Sequence, residues 1–185
     1  MDWPANPFWN YALELYRREG VEGACLELQE RHGLDVNLVL LCCWLATRGV
    51  EVEREWLARI GALVDRWQAE VVRPLRGVRD RLRSELAKAP PGSIPERWPE
   101  LSAGLRRRVL ALEIDGERLE QLLLAELAAD LVATTAPGIG VASRNLCRYR
   151  PFAGPDREAL RTLLGAAFPD GATGDLTDPL DWIEP

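Results

Sequence analysis

The run from Val36 to Ala46 constrains the fold of this chain more than any other stretch. It is apolar except for Asn37, and its eleven residues are too few to cross a bilayer. A helix with almost no polar face is stable in water only when other elements surround it. The run therefore predicts a central helix in a bundle, capped by Asp35. The adjacent Cys42 and Cys43 suit reduced thiols packed in a core. At 185 residues the chain can bury one sizeable core. Met1-Asp2-Trp3-Pro4 has an acid and a proline where a signal peptide needs a basic and then an apolar stretch, so a cytoplasmic location is expected, with no membrane association.

The rest of the sequence reads as helices that could surround such a centre. Asn6-Pro7 predicts a helix start, with Phe8, Ala12 and Leu15 in one apolar row, Trp9, Leu13 and Tyr16 in the next, and an end near Gly20. Val21, Ala24, Cys25 and Leu28 form one face of a second helix that stops at Gly33. A fourth helix shows Trp56, Ile60, Leu63, Trp67 and Val71 as its stripe, and Pro74 is expected to kink or end it. Leu75, Val78, Leu82 and Leu86 continue the stripe to a loop over Lys88 to Pro95. A helical pair follows, Leu101 to Leu112 and Leu119 to Leu131, with Asp115-Gly116 a possible break. Short helices near Val141 to Tyr149 and from Pro155 to Phe168 complete the chain. No window alternates long enough for a strand. The expected architecture is all-α, a single multi-helix bundle over residues 1–168 with a loosely ordered acidic tail over 169–185. Leu180, Trp182 and Ile183 are that tail's candidate apolar anchors.

Charge is unevenly spread. Residues 1–68 carry 7 basic and 11 acidic side chains, residues 69–111 carry 10 and 5, and residues 112–185 carry 6 and 13. Arg73, Arg76, Arg79 and Arg83 recur at helical spacing in the basic middle, and Arg106, Arg107 and Arg108 add a cluster. Such a stripe is first a solvated face paired with nearby carboxylates. It could also bind an acidic protein segment, the chain's own tail included, or grip phosphates. Nucleic acid ranks last, because the net charge is −6 and no recognition motif is present.

Little in the sequence points to catalysis. One histidine, His32, excludes sites that need two, and near a helix end it reads as a cap. None of the four serines lies in Gly-x-Ser-x-Gly, and Gly138-Ile139-Gly140 lacks the lysine and strand of a phosphate loop. Glu113, Glu117 and Glu120 share a face if the helix runs through Gly116; without histidine partners that predicts a solvated or salt-bridged face rather than a carboxylate site. No cofactor or metal is expected. The remaining polar set in apolar surroundings is Gln29, Asp35 and Asn37. It reads as a network holding the second and third helices in register, or as a small pocket completed by Trp44.

These residues carry a resemblance. Phe8-Trp9-Asn10-Tyr11-Ala12, Leu15-Tyr16, Gly20-Val21, Ala24-Cys25-Leu26, Leu28-Gln29, Gly33-x-Asp35-Val36-Asn37-Leu38 and Trp44 resemble a bacterial family of uncharacterised proteins, a domain of unknown function. Further matches fall at Trp67, Pro74-Leu75-Arg76, Val78-Arg79, Asn145-Leu146 and Tyr149, while Glu30 stands where that family usually has Asp. The resemblance implies a helical domain and no activity. The leading expectation is action through protein contacts with a partner not identifiable from the sequence. A ligand-binding or enzymatic pocket at Gln29, Asp35, Asn37 and Trp44 comes second, and phosphate or nucleic-acid binding third.

Overall fold

The structure, a computed structural model, describes residues 2–88, 93 and 95–169. The chain is all-α, with no β-strand among the described residues. Its helices are α1 (Pro7–Tyr16), α2 (Val21–His32), α3 (Val36–Thr47), α4 (Arg54–Trp67), α5 (Arg73–Lys88), α6 (Trp98–Leu127), α7 (Ile139–Tyr149) and α8 (Arg157–Ala167). The described residues fall into two compact units, one drawn from Met1–Ala62 and Gln121–Pro185, the other Leu63–Glu120.

In the first unit α3 is the centre, as its composition requires. Leu38 to Cys43, Leu45 and Ala46 are all buried, with α1 and α7 packed on α3 and α2 packed on α8. Each fully buried Leu or Val contributes roughly 1.5–3 kcal/mol, so this one helix supplies a large part of the unit's apolar stabilisation. Asn6 accepts from the Trp9 N–H and so caps α1. Gly33, at φ 63, closes α2 in the left-handed region. Helix α1 ends at Tyr16, short of Gly20, which instead stands before α2 at φ 78. Cys25, Cys42 and Cys43 are buried free thiols, and burial pushes the Cys25 thiol up to about 12.

The exit from α3 is fixed by one polar side chain. Asn145 of α7 is fully buried; its Oδ1 accepts from the Val52 N–H at 3.0 Å, and its Nδ2 donates to the carbonyls of Val50 (3.0 Å) and Cys42 (3.3 Å). Between these partners the chain turns at Gly49, φ 69, whose carbonyl accepts from the N–H groups of Thr134 and Thr135. A Cβ there would lie 2.2 Å from the Thr135 carbonyl oxygen, so only glycine fits. Glu51 adds ion pairs to Arg144 and Arg148 of α7.

Two expectations, the α4 stripe and the break at Asp115-Gly116, need correction, and a third takes a specific form. The buried row of α4 is Leu57, Ile60 and Val64, continued by Val72, and Leu63 is 49% exposed. Trp56-Leu57, Leu63-Val64 and Val71-Val72 are neighbouring apolar pairs, so periodicity alone permitted either row. At Pro74 the expected interruption takes the form of a π turn between α4 and α5 rather than a loop. A π turn over Gln68–Val72 lets the Arg73 N–H reach the Gln68 carbonyl, and this widening takes up a ring that would otherwise strike the Glu70 carbonyl. Asp115-Gly116 is no break, since α6 is continuous from Trp98 to Leu127. Most of the expected loop over Lys88 to Pro95, and the tail with Leu180, Trp182 and Ile183, lie outside the described residues.

Replacing Asn145 with Ala strands the Val52 N–H and two carbonyls in the core. The expected loss is about 2–4 kcal/mol, read from urea unfolding at equilibrium.

Candidate functional site

The second unit is an antiparallel helical hairpin. Its partners run in opposite order, from Gln68 with Glu120 through Arg76 with Glu113 and Glu117 to Leu82 with Ser102. Near the π turn the two helices are joined by polar groups. Gln68 Nε2 donates to the buried Glu120 at 2.8 Å, and Trp67 Nε1 donates to the Gly116 carbonyl at 3.0 Å. Gly116 sits beside Val72 without ending the helix, and a Cβ there would meet Val72 at 3.6 Å, an ordinary van der Waals contact. Glu113 is buried and forked by two arginines, Arg76 Nε at 2.9 Å and Arg79 Nη1 at 2.7 Å, while Arg76 Nη2 reaches Glu117 at 3.0 Å. Desolvation opposes the charge on Arg76, but Glu113 and Glu117 outweigh it and hold the guanidinium above its ordinary range. The predicted arginine stripe is therefore divided. Arg76 and Arg79 are consumed in the hairpin, whereas Arg73 and Arg83 lie exposed.

At the other end the hairpin is apolar and open. Val78, Arg81 and Leu82 of α5 and Trp98, Leu101, Ser102 and Leu105 of α6 line a groove of about 540 Å³. Leu101 is 58% exposed, Trp98 52%, Leu105 47% and Val78 42%. The periodicity placed Leu101, Leu105 and Val109 together on a core face, yet only Val109 is buried. Two further depressions adjoin the groove. One includes Arg97, Arg107, Arg108 and Glu100, the other Arg83 and Arg106. The chemistry on offer is an apolar floor with a guanidinium border, suited to non-covalent recognition.

The polar set singled out from the sequence lies in the first unit. Asp35 caps α3, its Oδ1 accepting from the N–H groups of Asn37 (2.8 Å) and Leu38 (3.3 Å), and its own N–H donates to Tyr149 Oη. Asn37 Oδ1 accepts from Gln121 Nε2 at 2.6 Å. Gln121 was not foreseen; it is a buried polar residue in a leucine-rich helix, which is the one signal that could have found it. Gln29 is half-buried, and its backbone carbonyl closes α2 by accepting from Gly33. Trp44 packs on Phe8 with ring centroids 5.3 Å apart, and the Arg48 guanidinium lies 4.8 Å from its ring. The structure thus joins Asp35 to Asn37 through the cap and Asn37 to Gln121.

His32, at the end of α2, lies with Nε2 2.9 Å from Oδ1 of the fully buried Asp156, which Arg31 also reaches at 2.6 Å. The Ala153 N–H donates to the other carboxylate oxygen. Burial works against this charge, but the Ala153 N–H, Arg31 and His32 together hold the Asp156 carboxyl below its ordinary value. A carboxyl lowered on folding gives stability that is full above the unfolded value of about 4 and lost as pH falls through the folded one. Asp156→Asn is accordingly expected to lower the melting temperature at pH 7, with the gap to the parent chain closing as the pH drops below about 4.

Among the described residues no group of three or more His, Cys, Asp or Glu side chains is placed to hold a metal, and no helix is long and apolar enough to cross a membrane. No curated protein matches the chain, and no solved structure matches it. Residues 7–124 match the family described as "Protein of unknown function (DUF2390)", a span that takes in α1 to α5, nearly all of α6 and the whole hairpin groove, and the chain belongs to that family.

Proposed function

We propose that this chain acts through protein contacts and that the groove on the α5–α6 hairpin is the surface it uses. One observation carries the reading: Val78, Trp98, Leu101 and Leu105 stand exposed side by side on one unit. Grouped apolar side chains in water are costly to keep and mark recognition sites far more often than single exposed leucines do. The salt-bridged half of the hairpin makes the groove a fixed shape rather than a loose pair of helices. Free, buried thiols fit a reducing compartment, which supports a cytoplasmic setting for this work.

Leu101→Glu and Leu105→Glu should leave folding nearly untouched, within about 0.5 kcal/mol, because both side chains are exposed. Each should abolish capture of the partner that the parent chain retains, while Leu26→Glu, at an exposed leucine of the first unit, should not. Equal capture by all three variants would discard the groove.

A second reading attaches to Asn37. Gln121 Oε1 is buried and accepts no hydrogen bond among the described residues, so its site has room in its bonding for one donor. A small ligand supplying that donor would raise the melting temperature of the parent chain and not of Gln121→Leu. A metabolite screen by thermal shift tests this, and no shift in the parent chain would leave the pair structural.

A further inference from the structure

The groove and its border differ in chemistry, and the difference selects among proteins that could dock there. Its floor is Val78, Leu82, Leu101 and Leu105 with Trp98 at one side, apart from the Ser102 hydroxyl, which is spent on the Leu82 carbonyl. Among the described residues, the groove and the two depressions that adjoin it present Arg81, Arg83, Arg97, Arg106, Arg107 and Arg108 against a single acid, Glu100. All six arginines are exposed, whereas the deeper Arg76 and Arg79 are already matched by Glu113 and Glu117. A wholly apolar partner helix would leave six guanidinium groups facing its flanks. A phosphate polymer would meet the arginines but would lay charge over an apolar floor with one aromatic ring. We propose that the groove docks an acidic linear segment of a partner protein, in which two or three apolar side chains fill the floor and the intervening carboxylates meet the arginine border. The proposal rests on the reading of the groove as a protein-contact surface and adds the chemistry of its occupant.

Residues 175–185 of this sequence, Asp-Leu-Thr-Asp-Pro-Leu-Asp-Trp-Ile-Glu-Pro, have the required chemistry, with Leu180, Trp182 and Ile183 set among Asp178, Asp181 and Glu184. A fluorescein-labelled synthetic peptide of that sequence is therefore the probe, titrated with the full chain and followed by polarisation. Saturable binding is expected. It should weaken on the order of tenfold in Arg81→Glu plus Arg106→Glu, and in the peptide with its acids changed to amides, and it should weaken with added salt. Leu101→Glu should abolish it. Melting curves of each variant confirm folding.

Equal binding of the amide peptide would overturn the acidic occupant and leave the groove standing as an apolar contact site. No binding of either peptide, with Leu101→Glu still abolishing partner capture, would do the same. No binding together with unchanged capture would remove both. Binding seen only when Leu180 and Trp182 of the chain are changed to Ala would assign the groove to the chain's own C-terminal segment. A dimer lost in Leu101→Glu would assign it to a second copy, and single-stranded RNA binding that needs Arg81 and Arg106 but not Leu101 would assign the border to nucleic acid. Each of these overturns the partner segment.

Discussion

A helix with no polar side must be enclosed, and most of the first unit follows from enclosing α3. Its eight buried side chains need neighbours over most of the circumference, which α1 and α7 help to supply. Enclosure creates a difficulty where the helix ends, because carbonyls and N–H groups leave the ladder inside an apolar core. Asn145 resolves it with one side chain that both accepts and donates, serving Cys42, Val50 and Val52 together. Gly49 contributes the complementary condition, a backbone that turns where no Cβ can enter.

The hairpin solves a different problem. Two helices alone cannot bury much, so a hydrophobic core is a weak means of joining them. Here the joint combines a small apolar contact around Val72 and Gly116 with buried or half-buried polar pairs: Glu113 between two arginines, and Glu120 against Gln68. Such pairs fix register because a slip would strand a charge in a poorly solvated place. Holding the helices at one end by polar contacts frees the leucines at the other from any structural duty. A sheltered polar joint and an exposed apolar groove are two sides of one arrangement.

Much of this was legible in the residues. The central α3, the caps at Asn6 and Asp35 and the glycine stop at Gly33 follow from local chemistry that tertiary structure leaves intact. The solvated or salt-bridged face expected of Glu113, Glu117 and Glu120 instead holds ion pairs at Glu113 and Glu117 and buries Glu113 against α5 and Glu120 against Gln68. What escaped was everything decided between elements. The sequence around Pro74 contains a helix breaker, but not the π turn that accommodates it or the bonds of Trp67 and Gln68 to α6 beside that turn. Leu101 and Leu105 have the spacing of a core face, and spacing cannot distinguish a face covered by the same chain from one left for another. The arginine stripe was visible as a stripe; its division into paired and exposed members required the partner helix. Asn37 advertised a need for a partner, and only the fold identifies Gln121.

The buried thiols carry a consequence for how the molecule meets oxidants and alkylating reagents. Only the thiolate reacts, and burial suppresses it at Cys25, Cys42 and Cys43, leaving Cys147 the more accessible of the four. Modification at the other three must wait for the first unit to open. Their rate of labelling is therefore a clock for that opening, built into the core around which the unit is assembled.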